Sequence, residues 1–88
     1  MIELKDYSEK IGIPIEQLYK SQYQPTPIAR QVYWHYLKKN GYGYCEIGRM
    51  FNKTHPTIIY GIKNIQNMIE TNNIIINRYF EALEIDLE

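Results

Sequence analysis

Residues 44–69 read YCEIGRMFNKTHPTIIYGIKNIQNMI and contain two helical patterns separated by a short break. The first pattern is an apolar stripe at the spacing of one helix face, formed by Tyr44, Ile47, Gly48 and Phe51. The second pattern is a longer stripe of four isoleucines, Ile58, Ile62, Ile65 and Ile69. Between them, Asn52 tolerates the left-handed conformation of a sharp turn, and Thr54 is placed to cap a helix that begins at His55. The stretch therefore predicts a short helix, a tight turn and a longer helix.

The N-terminal part of the chain predicts two more short helices. Residues 5–11 alternate charged and apolar groups at helical spacing, and Gly12 follows where a helix commonly ends in a left-handed residue. Pro14 then opens a second helix that runs to Tyr19. Residues 22–27 contain two prolines and are expected to form a linker, because proline does not fit a helix interior.

A longer helix is expected after this linker, with Thr26 as its cap and Pro27 in its first position. It runs to about Lys39, and its apolar stripe consists of Ala29, Val32, Tyr33 and Tyr36. Trp34 is expected to serve packing. A last helix is expected from about Ile75, although the isoleucines there also have strand propensity.

The chain has 88 residues, so we expect one all-α domain, residues 1–88, of five to six short helices. Its longest aliphatic run is three isoleucines, which excludes a membrane span, and no secretory signal is visible. Cys45 is the single cysteine, so it forms no internal disulfide, and we expect it to be a small core residue. These features predict a reduced, cytoplasmic protein without a metal ion or other cofactor.

The net charge is zero, but the charges are unevenly distributed along the chain. Residues 20–63 contain seven lysines and arginines and one acidic residue, a net charge of +6. Residues 1–19 have a net charge of −2 and residues 64–88 a net charge of −4. A basic middle between acidic ends is compatible with a nucleic-acid partner and equally with chance clustering on a solvated surface.

The short helix, turn and longer helix have the pattern of a helix-turn-helix, which places the start of its second helix in the major groove of DNA. The isoleucine stripe anchors that helix, and Gly48 allows close approach at the expected helix crossing. The exposed first turn supplies a cation, hydroxyls, an imidazole and apolar surface, which suit phosphates, base edges and thymine methyls. We therefore expect binding of double-stranded DNA, with Lys53 on the DNA backbone and base reading by Thr54, His55, Pro56 and Thr57.

The stretch 29–69 resembles the C-terminal DNA-binding domain of the bacterial replication initiator DnaA, a family with a Trp-repressor-like helix-turn-helix. The shared motifs are Arg30-Gln31, Glu46-Ile47-Gly48, Phe51 and the sequence KTHPTI at residues 53–58. Residues 8–20, SEKIGIPIEQLYK, also resemble the lead-in helices of that family. The resemblance covers about residues 5–70 and implies an all-helical fold around a DNA-binding turn.

The same resemblance implies a role for individual residues. His55 and Thr57 would read bases, and Arg30, Lys53 and Lys63 would bind phosphates. Lys20 is the cation nearest to the loop that reaches the minor groove in that family. Four phosphate contacts of this kind predict a log–log salt slope of about −3.6. Possible further contacts are Gln31, which follows Arg30 in the shared motif, and Tyr60, which lies off the isoleucine stripe.

The chain also departs from the family pattern. The turn after Phe51 is one residue shorter and lacks the Gly-Gly pair. Thr54 stands in place of an acidic residue, and Pro56 stands in place of a threonine. The loop that is arginine-rich in the family reads SQYQPT at residues 21–26. We therefore expect a recognition sequence different from that of the initiator.

Other classes of function fit the sequence less well. No nucleophilic triad, phosphate loop or metal-ligand spacing is present, so we do not expect an enzyme. The ATPase part of the initiator family is absent from these residues, so we expect a regulator or an accessory of replication, transcription or a mobile element in a bacterial or phage setting. The alternative is a protein-interaction module that keeps the fold and has lost DNA binding.

Overall fold

Six α-helices and one 3-10 helix make up the fold in the computed structural model, which describes residues 1–85. In chain order they are α1 (Leu4–Ile11), α2 (Ile15–Lys20), α3 (Thr26–Lys39), α4 (Tyr44–Phe51), α5 (His55–Glu70), the 3-10 helix (Ile74–Ile76) and α6 (Asn77–Ala82). No strand occurs in residues 1–85, and the all-α prediction is confirmed. The isoleucine run at the last helix forms a 3-10 turn that leads directly into α6.

The helix ends follow the local sequence, with one difference from the prediction. Gly12 ends α1 with a φ of 73°, and its N–H donates to the carbonyl of Ser8 at 3.0 Å, as the left-handed end predicts. Thr26 was expected to cap α3, but this prediction is wrong: Thr26 is buried and is itself the first helical residue. Helical hydrogen bonding starts one residue earlier, because the N–H of Ala29 donates to the carbonyl of Pro25 at 3.0 Å.

Helix α3 lies at the centre of the fold and contacts α2, α4, α5, α6 and the 3-10 helix. The predicted stripe of Ala29, Val32, Tyr33 and Tyr36 is buried. Trp34, His35 and Leu37 are buried as well, because neighbours cover α3 on several sides instead of one. Trp34 packs edge-on against Phe51 with ring centroids 5.8 Å apart, so its predicted packing role is confirmed.

Tyrosine hydroxyls fasten the N-terminal part of the chain to α3. The hydroxyl of Tyr7 donates to the carbonyl of Ala29 at 2.6 Å, and that of Tyr33 donates to the carbonyl of Ile2 at 2.8 Å. Burial raises the pKa of Tyr33 to about 12 and raises the pKa of Tyr7 still further, so both hydroxyls keep their protons as donors.

Cys45 is exposed, so the prediction that it is a core residue is wrong. The apolar stripe of α4 starts at Tyr44, and a residue one position later points about 100° away from that face. At the other end of the chain, Ile74 and Ile75 are exposed while Ile76 is buried. None of the helices in residues 1–85 has the length and apolarity needed to cross a membrane.

Lowering the pH from 7 towards 5 is expected to destabilise this fold through His35. The imidazole lies edge-on against Phe80, is only 4% exposed, and has no hydrogen-bond partner for its Nε2 among the described residues. Burial, together with the positive charge of Lys39, lowers the pKa of His35 from 6.5. As the pH drops below 6.5, His35 becomes protonated in the unfolded chain while it stays neutral in the folded chain. The free energy of unfolding therefore falls as the pH drops below 6.5.

Urea unfolding at several pH values measures this effect. His35→Phe keeps an aromatic ring against Phe80 and is expected to flatten the dependence between pH 7 and 5. His55→Ala is the matched control, because it removes the exposed histidine and is expected to leave the dependence intact. An unchanged pH profile in His35→Phe would contradict the assignment to His35.

Candidate nucleic-acid interface

Helices α4 and α5 are joined by a turn of three residues. Asn52 ends α4 in the left-handed conformation, with a φ of 54°, which confirms the conformation predicted for it. The N–H of Lys53 donates back to the carbonyl of Gly48 at 2.8 Å, which closes the end of α4. Helix α5 begins at His55 directly after this turn, and α4 and α5 pack against each other. The predicted order of short helix, tight turn and longer helix is present.

Gly48 is needed by the turn more than by a crossing of two helices. A Cβ atom added to Gly48 would lie 2.7 Å from the carbonyl oxygen of Lys53, closer than atoms tolerate. A close helix crossing lies at Gly61 instead, since a Cβ there would lie 2.6 Å from the ring of Trp34, which joins α5 to α3. Gly48 therefore allows the turn before α5 to pack closely on α4, and Gly61 allows the middle of α5 to pack closely on α3.

Buried isoleucines anchor α5 and leave its first turn exposed. Ile58, Ile62 and Ile65 are at most 2% exposed, and Ile69 is half-buried at the far end of the helix. The residues proposed from sequence to read bases are all exposed: Thr54, His55, Pro56 and Thr57. The prediction that the stripe faces the core is therefore confirmed, and the start of α5 lies at the surface.

Thr54 occupies the position before α5, but its side chain does not cap the helix. Its hydroxyl instead lies 2.8 Å from the hydroxyl of Thr57, and the two form a hydrogen bond. The cap role predicted for the Thr54 side chain is therefore wrong. The two threonines thus present two methyl groups and two hydroxyl oxygens together at the first turn of α5. Methyl groups can contact thymine methyls, and hydroxyl groups can bind base edges.

Two of the predicted backbone-contacting lysines lie on one groove beside this turn. Lys20 at the end of α2 and Lys53 in the turn both line a groove of about 410 Å³. The remaining lining residues are Tyr19, Met50, Phe51 and Asn52. The rings of Tyr19 and Phe51, 5.2 Å apart, join α2 to α4 and so bring the two lysines together across 33 positions of sequence.

The exposed face of α5 continues from its first turn. Pro56, Tyr60 and Lys63 follow each other at four and three positions, so they share one face of the helix, opposite the buried isoleucines. Tyr60 is 70% exposed and Lys63 is exposed. A cation therefore lies two turns along the face that starts at Pro56.

Arg30 does not lie where the resemblance implies. Its side chain is 7% exposed, and its guanidinium donates to the main-chain carbonyls of Leu18 and Ser21 and, at 3.5 Å, to that of Gln17. These carbonyls belong to the C-terminal end of α2, where helix carbonyls lack partners and the helix dipole attracts a cation. The structure thus contradicts a phosphate contact by Arg30, which holds α2 against α3 instead.

Gln31 is likewise engaged inside the protein. Its side-chain oxygen accepts a hydrogen bond from Nδ2 of Asn64 at 2.7 Å, and both residues are half-buried. This bond joins α3 to α5. The side chain of Gln31 therefore stabilises the placement of α5 in this structure, and Gln31 is not among the side chains at the exposed first turn.

Sequence patterns missed that the ring of Tyr44 contacts both His55 and Lys38. The ring of Tyr44 lies 5.6 Å from the imidazole of His55, and Nζ of Lys38 lies 4.5 Å from the centroid of the same ring. The sequence places Tyr44 in the apolar stripe of α4, and it places Lys38 one residue before the expected end of α3. No spacing in the sequence signals this contact, because it joins the end of one helix to the starts of two others.

No group of three or more histidine, cysteine, aspartate or glutamate side chains within residues 1–85 is arranged to bind a metal ion. The fold and the site together define a small all-helical protein in which a short helix, a turn and a longer helix present an exposed helix start flanked by lysines.

Comparison with known proteins gives one distant similarity. Over 72 residues, or 81% of the chain, the sequence is 29% identical to the chromosomal replication initiator protein DnaA of Thermosipho africanus (strain TCF52B). The matched part is 16% of that protein, so the chain spans a small fraction of its relative. No protein-family model and no solved structure matches the chain. The similarity agrees with the resemblance carried by the motifs, at the level of a distant relationship to one part of that protein.

Proposed function

We propose that this chain binds double-stranded DNA in a sequence-specific manner through a Trp-repressor-like helix-turn-helix formed by α4 and α5. The observation that carries the proposal is the exposed start of α5 above three buried isoleucines. Such an arrangement leaves side chains free to enter the major groove while the rest of the helix is fixed on the protein.

In this proposal the first turn of α5 reads bases. The imidazole of His55 donates to an acceptor such as N7 or O6 of guanine, and the methyl groups of Thr54 and Thr57 contact thymine methyls. Pro56 adds apolar surface, and Tyr60 lies one turn further on the same face.

Lysines position the DNA backbone around this turn. Lys53 and Lys20 on the shared groove bind phosphates at one side of α5, and Lys63 binds a phosphate further along the helix. Lysine is suited to this role because its ammonium acts as a point charge with three donors, whereas base identity is read by the other side chains.

We propose that the protein acts by binding alone, as a regulator or accessory and not as an enzyme. The matched relative is named a chromosomal replication initiator, which supports a role connected with replication. A role in transcription or in a mobile element uses the same interface. A cytoplasmic setting, in the bacterial nucleoid or encoded by a phage, is part of this proposal.

Selection of bound sequences from a random duplex pool, followed by titration of the selected duplex, tests the proposal. His55→Ala is expected to weaken binding to the selected duplex by about 2 kcal/mol, or roughly 30-fold, because a base contact is lost. Binding to random duplex at low salt is expected to change little, since phosphate contacts supply it. An equal loss on both duplexes would make His55 a backbone contact.

The second candidate function is a protein-interaction module without DNA binding. Residues 21–26, at the position of the family's arginine-rich loop, contain no cation, and the nearest arginine, Arg30, is buried. A minor-groove contact at this loop would thus rest on polar side chains such as Tyr23, which is 86% exposed. Absence of any shift of random duplex at low salt and tens of micromolar protein would favour this second function.

A further inference from the structure

Three side chains from three helices meet beside the start of α5. Lys38 is in the last turn of α3, Tyr44 is the first residue of α4, and His55 is the first residue of α5. Nζ of Lys38 lies 4.5 Å from the centroid of the Tyr44 ring, and the same ring lies 5.6 Å from the imidazole at an interplanar angle of 48°. We refer to these three residues as the Tyr44 cluster.

The backbone fixes Tyr44 at the centre of this cluster. Gly41 turns the chain after α3 with a φ of 97°, and the N–H of Gly43 donates to Oε1 of Glu46 at 2.8 Å. This bond closes the first turn of α4 on the residue that precedes Tyr44. The Tyr44 ring is half-buried and packs against the core, whereas Lys38 and His55 are exposed. A ring packed against the core therefore contacts two exposed polar side chains.

We propose that Tyr44 is a positioning residue for DNA recognition and that Lys38 is an additional contact to the DNA backbone. This inference rests on the proposed DNA-binding function. The tilted contact with the Tyr44 ring restricts the rotamers of His55, so less side-chain freedom is lost when the imidazole meets a base. The cation–π contact draws the ammonium of Lys38 to the same side of the molecule. The interface then extends from α5 to the C-terminal end of α3.

Attraction to the helix dipole alone does not account for this geometry. A dipole at the end of α3 acts on Lys38 and Lys39 alike, because both lie in the last turn. The contact with the Tyr44 ring belongs to Lys38, and the same ring contacts His55. Lys39→Gln is therefore a matched control for Lys38→Gln, since both variants remove one charge from the same helix end.

Two substitutions of Tyr44 separate positioning from folding. Tyr44→Leu removes the ring and keeps apolar volume, and it is expected to weaken binding to the selected duplex about tenfold with little effect on random duplex. The conservative variant Tyr44→Phe keeps the ring and is expected to restore binding. The double variant Tyr44→Leu with His55→Ala is expected to bind no worse than His55→Ala alone, because the ring acts through the imidazole.

Salt titrations of the lysine variants test the second part of the proposal. Lys38→Gln is expected to make the log–log salt slope shallower by about 0.9, the amount for one phosphate contact, and Lys39→Gln by clearly less. Thermal melting of every variant, followed by circular dichroism, confirms that each is folded at the titration temperature.

The outcomes distinguish this inference from the function on which it rests. If the unaltered protein binds neither selected nor random duplex, the proposed function fails and the inference fails with it. If the protein binds but Tyr44→Leu matches it, or loses affinity for both duplexes equally, Tyr44 does not position His55. If Lys38→Gln and Lys39→Gln change the slope equally, the ring contact does not create a phosphate site.

Discussion

Raising the salt concentration from 50 to 200 mM is expected to weaken binding to the selected duplex about 150-fold. Each phosphate that is neutralised releases condensed counterions, and each such contact contributes a log–log slope of about −0.9. Four lysines are assigned to phosphates, so the expected slope is about −3.6. These are Lys20, Lys38, Lys53 and Lys63.

Fluorescence anisotropy titrations at several salt concentrations measure this slope. Lys53→Gln and Lys63→Gln are each expected to make it shallower by about 0.9. Lys10→Gln is the control, because Lys10 lies on α1 and pairs with Glu84 at 3.1 Å. A slope near zero would contradict all four assignments, and an equal change in Lys10→Gln would show that total charge, not position, decides affinity.

This slope equals the value expected from sequence, but the residues behind it have changed. The resemblance placed Arg30 among the phosphate contacts, whereas the structure uses its guanidinium for main-chain carbonyls. The fourth cation is now Lys38, in the last turn of α3. The expected number of phosphate contacts is thus the same for two different sets of residues, so single variants are needed in addition to the slope.

Local patterns in the sequence predicted the elements around the site well. The isoleucine stripe of α5, the left-handed Asn52 and the left-handed Gly12 depend on residues within a few positions, and all three are present. Helical periodicity and turn chemistry act over such distances, so one sequence suffices to predict them. The exposure of Thr54, His55, Pro56 and Thr57 follows from the same periodicity.

Contacts between distant parts of the chain could not be predicted in this way. Arg30 is separated by 12 positions from Leu18, whose carbonyl accepts its hydrogen bond. Every residue has a main-chain carbonyl, so the sequence does not indicate which carbonyl Arg30 binds. Tyr44 was a regular member of an apolar stripe, and its second role depends on where α3 ends. The burial of His35 and Leu37 likewise required knowledge that several helices surround α3.

Replacing Arg30 by methionine is expected to reduce the free energy of unfolding by about 3 kcal/mol and the melting temperature by about 15 °C. Hydrogen bonds from a charged donor contribute about 1.5–3 kcal/mol each, and Arg30 makes two close ones, to Leu18 and Ser21. Methionine keeps the apolar stem but removes the donor from the buried carbonyl of Leu18 and from the partly buried carbonyl of Ser21. Urea unfolding followed by circular dichroism measures the loss.

Arg30→Lys separates charge from geometry. Lysine keeps the positive charge but lacks the planar fork that reaches two carbonyls at once, so we expect a stability loss close to that of methionine. Arg49→Met is the control, because Arg49 is an exposed residue of α4 and its loss is expected to leave the melting temperature nearly unchanged.

Below their melting temperatures, Arg30→Met and Arg30→Lys are both expected to keep the salt slope of DNA binding that the unaltered protein has. An Arg30→Met variant whose salt slope is shallower by about 0.9 would show that Arg30 binds a phosphate. If the same variant also keeps its melting temperature, α2 is held in place without the guanidinium of Arg30.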